Sequence, residues 1–169
     1  MLKNSIMMLM TLILISCSVP FRIYTETDKF NPDIEATYTS QITVKHSNPF
    51  DMCEVYLQYV NIKSEKSNKL GFFITYIGKH WAFIGEIKLL IDGKVYKYSP
   101  SQSPHRDVGG LLGVTETSQF LIPKEIFEKI QSKGNFDMRI SGQKRSFDIN
   151  ENEDLVDKMK IWYTAINKQ

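Results

Sequence analysis

Cysteine and histidine, the side chains best suited to nucleophilic or metal chemistry, are few in this chain. The sequence contains two cysteines, Cys17 and Cys53, and three histidines, His46, His80 and His105. The histidines are far apart and none lies beside a cysteine, so the ligand spacing of a zinc site is missing. The sequence also lacks a Gly-rich phosphate loop after a strand and a Gly-x-Ser-x-Gly elbow. We therefore predict no metal, no cofactor and no catalytic residue.

The segment from residue 99 to residue 114 is the region best suited to contact a partner. It combines proline, glycine and charge, and it contains His105, Arg106 and Asp107. Loops held by a rigid sheet often carry binding residues, and the planar guanidinium of Arg106 could bind a carboxylate or a phosphate. The alternative is a solvated connection in which Arg106 pairs with Asp107. We take His105, Arg106 and Asp107 as candidate contact residues.

The N-terminal segment has the organisation of a secretory signal peptide. Lys3 gives it a basic start, residues 6–15 form an apolar run in which only Thr11 is polar, and the small residue Ser16 follows. The run is too short to cross a bilayer, which takes about 20 residues. We predict that residues 1–16 are a signal peptide.

The end of this segment, Leu14-Ile15-Ser16-Cys17, resembles the lipobox of bacterial lipoproteins. In that class a peptidase cuts before the cysteine once its thiol has received a diacylglyceryl group. The resemblance covers only residues 1–18 and implies a lipidated Cys17, a membrane as partner and a place in the cell envelope. Ser18 resembles the class sorted to the outer membrane in organisms with two membranes. The alternatives are an ordinary signal peptide that ends in cysteine and a buried N-terminal helix.

The rest of the chain has the length of one domain. Residues 17–36 are polar and interrupted by two prolines, so we predict the lipidated cysteine followed by a tether, with a short strand at 21–24 as an option. Residues 37–169 form the single globular domain.

The net charge bears on the expected partners, and the second cysteine bears on disulfide formation. A formal net charge of +2 gives no electrostatic reason to expect nucleic acid. With Cys17 lipidated, Cys53 has no second cysteine for an internal disulfide. Its place in an alternating apolar segment predicts a buried, inert thiol.

Alternating β-branched and aromatic residues predict strands through much of residues 41–98. Within this stretch Asp92-Gly93 favours a two-residue type I′ turn, because both positions of that turn need positive φ. A hairpin with this turn places Leu89 opposite Tyr96.

A second hairpin is predicted over residues 136–149. A two-residue loop would set Asp137 opposite Asp148, whereas a four-residue loop over 142–145 sets Arg139 opposite Asp148. Because cross-strand pairs contribute roughly 0.2–1 kcal/mol each, we predict the longer loop.

Two helices are predicted late in the chain. Pro123 is typical of a helix start and Gly134 of a helix end. In the last helix Leu155, Met159 and Trp162 share an apolar face that should be buried. Because short turns join the strands, we predict an α+β domain with an antiparallel sheet or sandwich and two helices packed on it.

These patterns favour a membrane-anchored, non-enzymatic envelope lipoprotein that binds another envelope protein or a polysaccharide, or supports assembly. One alternative is an envelope-directed hydrolase with a dispersed carboxylate site that includes Asp107 and Glu116. Another is a surface adhesin or inhibitor. A deep cleft with two carboxylates, or with a histidine and an acid, would favour the enzyme, and a shallow face with exposed aromatics would favour binding.

Overall fold

Two antiparallel sheets carry most of the chain and two helices follow late in the sequence, which confirms the predicted α+β class. The computed structural model describes residues 20–44, 53–108, 113–149 and 153–168. The strands are β1 (Ile23–Thr27), β2 (Glu35–Thr39), β3 (Ile42–Thr43), β4 (Glu54–Ser64), β5 (Ser67–Gly78), β6 (Ile84–Ile91), β7 (Lys94–Tyr98), β8 (His105–Val108), β9 (Val114–Ile122), β10 (Asp137–Gly142) and β11 (Ser146–Ile149). The helices are α1 (Lys124–Lys133) and α2 (Glu153–Ile166).

The larger sheet has seven strands in the order β1-β2-β4-β5-β9-β8, with β3 also paired to β4, and the smaller sheet has four in the order β11-β10-β6-β7. The inner faces of both sheets and the apolar sides of both helices share one hydrophobic core. Tyr76 of the larger sheet packs on Phe147 of the smaller one, with ring centroids 5.5 Å apart.

The Asp92-Gly93 hairpin forms as predicted. Asp92 and Gly93 have φ angles of 52° and 74°, and Leu89 lies opposite Tyr96. Because both φ values lie in the left-handed region, this turn matches the natural twist of the two strands.

The second hairpin adopts the predicted four-residue loop. Arg139 lies opposite Asp148 and donates from Nη2 to Oδ2 at 2.8 Å. This hydrogen bond lowers the pKa of Asp148. The hairpin therefore has the register in which the oppositely charged Arg139 and Asp148 are paired, as the sequence predicted.

The predicted limits of α1 and the predicted apolar face of α2 are both confirmed. Helix α1 follows Pro123 and ends at Gly134, whose φ of 77° lets its N–H donate to the Ile130 carbonyl at 2.9 Å. Helix α2 buries Met159 and Trp162 completely, and it buries all but 5% of Leu155.

Tyr59 ties the larger sheet to α2. Its side chain is fully buried, and its hydroxyl donates to the Leu155 carbonyl oxygen at 2.6 Å. Burial raises the pKa of Tyr59, and the charge of Asp154 adds to the effect. The phenol therefore stays neutral in the folded protein and keeps this hydrogen bond.

The sheet begins earlier than the predicted tether allowed. Strand β1 pairs with β2 in a register that sets Ile23 opposite Thr39, so residues 23–36 belong to the folded domain. Four of the five β1 side chains are exposed. The strand offered at 21–24 overlaps the start of β1, but β1 continues to Thr27 through exposed side chains that lack the apolar alternation of a predicted strand.

Cys53 is half-buried against the core rather than fully buried as predicted. It precedes β4, so it lies at the end of the alternating segment and not within it. Cys17 and His46 lie outside the described residues.

No helix among the described residues is both long enough and apolar enough to cross a membrane.

Candidate functional site

The predicted contact loop contains a strand. His105, Arg106 and Asp107 belong to β8, which lies at the edge of the larger sheet and pairs with β9. The prediction of a loop is therefore wrong for these residues. All four side chains of β8 are exposed, so the strand has no apolar alternation by which its sequence could be recognised.

Pairing within this edge separates the three candidate residues. Arg106 lies opposite Glu116, whereas Asp107 lies opposite Thr115 and His105 opposite Thr117. Because successive side chains of a strand point to opposite faces, Arg106 and Glu116 share the inner face. His105 and Asp107 lie on the outer face.

Glu116 is a buried carboxylate that joins the two sheets. Its side chain is fully buried in β9, and it accepts hydrogen bonds from the backbone N–H groups of Phe83 at 2.9 Å and Ile84 at 2.6 Å. Arg106 Nη2 lies 3.4 Å from Oε1 and supplies the opposite charge. A buried carboxylate with three donors is well compensated, and this arrangement gives Glu116 a structural role.

Phe83 has a strained backbone at the centre of this contact. Its φ of 55° is uncommon for a bulky residue. Its N–H is bound by Glu116, and its carbonyl accepts from the N–H of Gln143 at 3.2 Å. Its ring lies under the Arg106 guanidinium at 5.0 Å and the Lys144 ammonium at 5.4 Å. Phe83 lies just before β6, which begins at the next residue.

An open cleft of about 630 Å³ lies beside this cluster. Its walls include Phe83, Arg106, Gln143 and two prolines, Pro100 and Pro104. The Arg106 side chain contacts Phe83 and Glu116 and is still 37% exposed. It is therefore accessible to a ligand. We define this space as the Arg106 cleft.

The acids near the Arg106 cleft each have a basic partner. Glu116 pairs with Arg106, and Glu86, which lines the cleft, pairs with Lys88 at 3.2 Å. Lys144 does not line the cleft, but it follows the lining residue Gln143 and places a further positive charge 5.4 Å from the Phe83 ring centroid. These pairings leave the mouth of the cleft favourable to an anion.

Exposed aromatics lie elsewhere on the larger sheet. Tyr24 and Tyr38 stack across β1 and β2 with centroids 5.6 Å apart, and Tyr24 is 40% exposed. Phe30 is 87% exposed in the turn between these strands. The Asp28 carboxylate accepts the N–H groups of Phe30 and Asn31 at 2.7 and 2.9 Å, which lowers the pKa of Asp28. This turn therefore presents an aromatic side chain on an ordered backbone.

Within the described ranges, no group of three or more histidine, cysteine or acidic side chains is placed to hold a metal ion.

No protein-family model, curated protein or solved structure matches this chain.

Proposed function

We propose that this chain is a lipid-anchored protein of the cell envelope whose domain binds another envelope component without catalysing a reaction. The observation that carries the binding role is the Arg106 cleft, in which a buried carboxylate and an aromatic ring contact the guanidinium of a partly exposed Arg106 side chain. Fixing a charged donor before the ligand arrives lowers the entropy cost of binding. The partner is an envelope protein or a polysaccharide.

The proposed anchor is the diacylglyceryl group on Cys17 that the lipobox resemblance implies. One acyl chain gives only marginal membrane binding, so stable anchoring needs two signals, which two chains on one sulfur supply. Since β1 begins at Ile23, residues 18–22 alone link anchor and sheet. At about 3.6 Å per extended residue they span at most roughly 18 Å. The domain would therefore stay close to the membrane, at the outer membrane in an organism with two membranes.

The geometry gives less support to the hydrolase alternative. Asp107 and Glu116 lie on opposite faces of the larger sheet, and Glu116 is occupied by Phe83, Ile84 and Arg106. The exposed Phe30 and Tyr24 are compatible with the adhesin or inhibitor alternative, because large exposed aromatics are enriched at protein interfaces.

The anchor is tested by replacing Cys17 with Ser. We expect Cys17→Ser to abolish metabolic labelling with a radioactive fatty acid and to move the protein out of the membrane fraction, since the thiol that carries the lipid is lost. Cys53→Ser is the matched control and should change neither. An unmodified Cys17 or a retained Met1 in mass spectra of the native protein would contradict the anchor.

The binding role is tested by recovery of partners after crosslinking in the native envelope. Arg106→Ala is unsuitable alone, because it removes the charge partner of the buried Glu116 and should lower the melting temperature. We expect the exposed substitution Lys144→Ala to reduce partner recovery and leave melting unchanged.

The double variant His105→Ala with Asp107→Ala is the control on the outer face and should recover partners as the parent does. Equal recovery with Lys144→Ala and with the parent would count against the cleft as the binding surface.

A further inference from the structure

We propose that the Arg106 cleft binds an oxyanion, the carboxylate or phosphate group of an acidic envelope component. This inference rests on the proposed binding function and names the chemical class of ligand for that cleft. It follows from the way the guanidinium is held, from the charges around it and from the shape of the space in front of it.

The guanidinium of Arg106 is fixed from two directions. Its Cζ lies over the Phe83 ring, 5.0 Å from the ring centroid. Its Nη2 lies 3.4 Å from Oε1 of Glu116. Arginine has five N–H donors in a rigid, planar arrangement. Among the described residues, Glu116 is the acid with which Arg106 forms an ion pair. The other donors are therefore oriented by the same contacts and available to a ligand.

The charges favour an anion over a cation. Glu116 is fully buried behind Arg106 and accepts from two backbone N–H groups, so a ligand in the cleft meets the guanidinium and not the carboxylate. Glu86 at the cleft wall pairs with Lys88. Lys144, 5.4 Å from the Phe83 centroid, places a second cation on the same ring. A planar guanidinium fork matches the two oxygens of a carboxylate or phosphate.

The shape of the cleft suits an anionic group that belongs to a larger molecule. Its volume of about 630 Å³ lies within the usual range for small-molecule sites, about 300–1,000 Å³. Pro100 and Pro104 form part of its wall, and their fixed φ angles limit the motion of that wall. Because the cleft is open, a bound group can remain attached to a chain that extends into solvent.

The test measures probe binding by the full mature protein in detergent micelles, followed through the Arg106 Nε–Hε resonance in NMR spectra. The probes are glucuronate, inorganic phosphate and neutral glucose. We expect a saturable shift with glucuronate, with phosphate or with both, and none with glucose. A preference between the two anions would identify which source of oxyanion the cleft takes.

Variants separate two contributions to anion binding, the planar guanidinium geometry of Arg106 and the positive charge. Since Arg106→Lys keeps the charge but loses the fork, we expect binding about tenfold weaker, measured on backbone amides of the cleft. Lys144→Ala removes an exposed charge and should weaken binding about two- to fivefold with an unchanged fold. His105→Ala on the outer face is the control and should bind as the parent does. If Arg106→Lys fails to fold, Lys144→Ala still decides the matter.

Three results would overturn the proposal: no saturable shift with either anion, an equal shift with glucose, or parental affinity in Lys144→Ala. These outcomes are distinct from failure of the proposed function, because they are measured on purified protein with defined probes. Intact probe binding without any partner recovered from the envelope would contradict the proposed function alone.

Discussion

Replacing Glu116 with Ala should destabilise the protein by about 2–6 kcal/mol, because one buried and one partly buried backbone donor lose their acceptor at a cost of about 1–3 kcal/mol each. The donors are the N–H groups of Phe83 and Ile84, which the carboxylate binds at 2.9 and 2.6 Å. Ile84 is only 2% exposed, so water has little access to its N–H. Loss of these contacts should also free Phe83 from its φ of 55°, a backbone conformation that persists only where neighbouring contacts hold it.

The measurement is equilibrium unfolding in urea, followed by far-UV circular dichroism. Glu116→Gln is the matched control, because its amide keeps one oxygen acceptor and nearly the same volume. It should lose distinctly less stability than Glu116→Ala. If Glu116→Ala unfolds at the parental urea concentration, Glu116 is not the connection between the sheets that its contacts indicate.

Replacing Trp162 with Ala should cost about 3–5 kcal/mol, the usual range for removing a large aromatic from a packed core. Trp162 is fully buried and packs between the larger sheet and α1. Its ring lies 5.5 Å from that of Tyr59 and 5.8 Å from that of Phe127. Its removal would leave a cavity where the sheet and both helices meet.

Thermal unfolding measures the loss of stability in Trp162→Ala, and two further variants serve for comparison. Ile161→Ala, at a neighbouring α2 position that is 57% exposed, should stay within about 0.5 kcal/mol of the parent. Trp162→Phe should lose less than Trp162→Ala. The indole N–H is buried without a hydrogen-bond partner, so the phenyl ring sacrifices volume but no polar contact. A Trp162→Ala protein that melts within a degree or two of the parent would show that α2 is not packed as described.

In the candidate site, the sequence identified Arg106 but not the residues that contact it. Arg106 was identified from its residue type and its segment, and the alternative interpretation paired it with the adjacent Asp107. The structure pairs it instead with Glu116, ten positions away, across an edge strand that the sequence did not reveal. The importance of Phe83 could not be predicted at all, because its φ is set by Glu116 and Gln143 from other strands and loops.

The sequence by itself determined the features that depend on near neighbours. The turn at Asp92-Gly93, the register of Arg139 with Asp148 and the limits of α1 at Pro123 and Gly134 all formed as predicted. In each case the deciding energies act over a few residues, through φ preferences, cross-strand pairs or helix ends. The same local patterns were enough to give the α+β class.

Only the tertiary structure decided which distant groups meet. Strand β8, and β1 beyond Ile23, expose their side chains at the edges of the larger sheet. These segments form strands because a neighbouring strand offers its backbone hydrogen bonds. Glu116 connects the two sheets because its position in β9 brings its buried carboxylate against Phe83, 33 residues away in the chain. Burial and long-range pairing arise from the packing of one sheet on the other, and a single sequence carries no local signal of that packing.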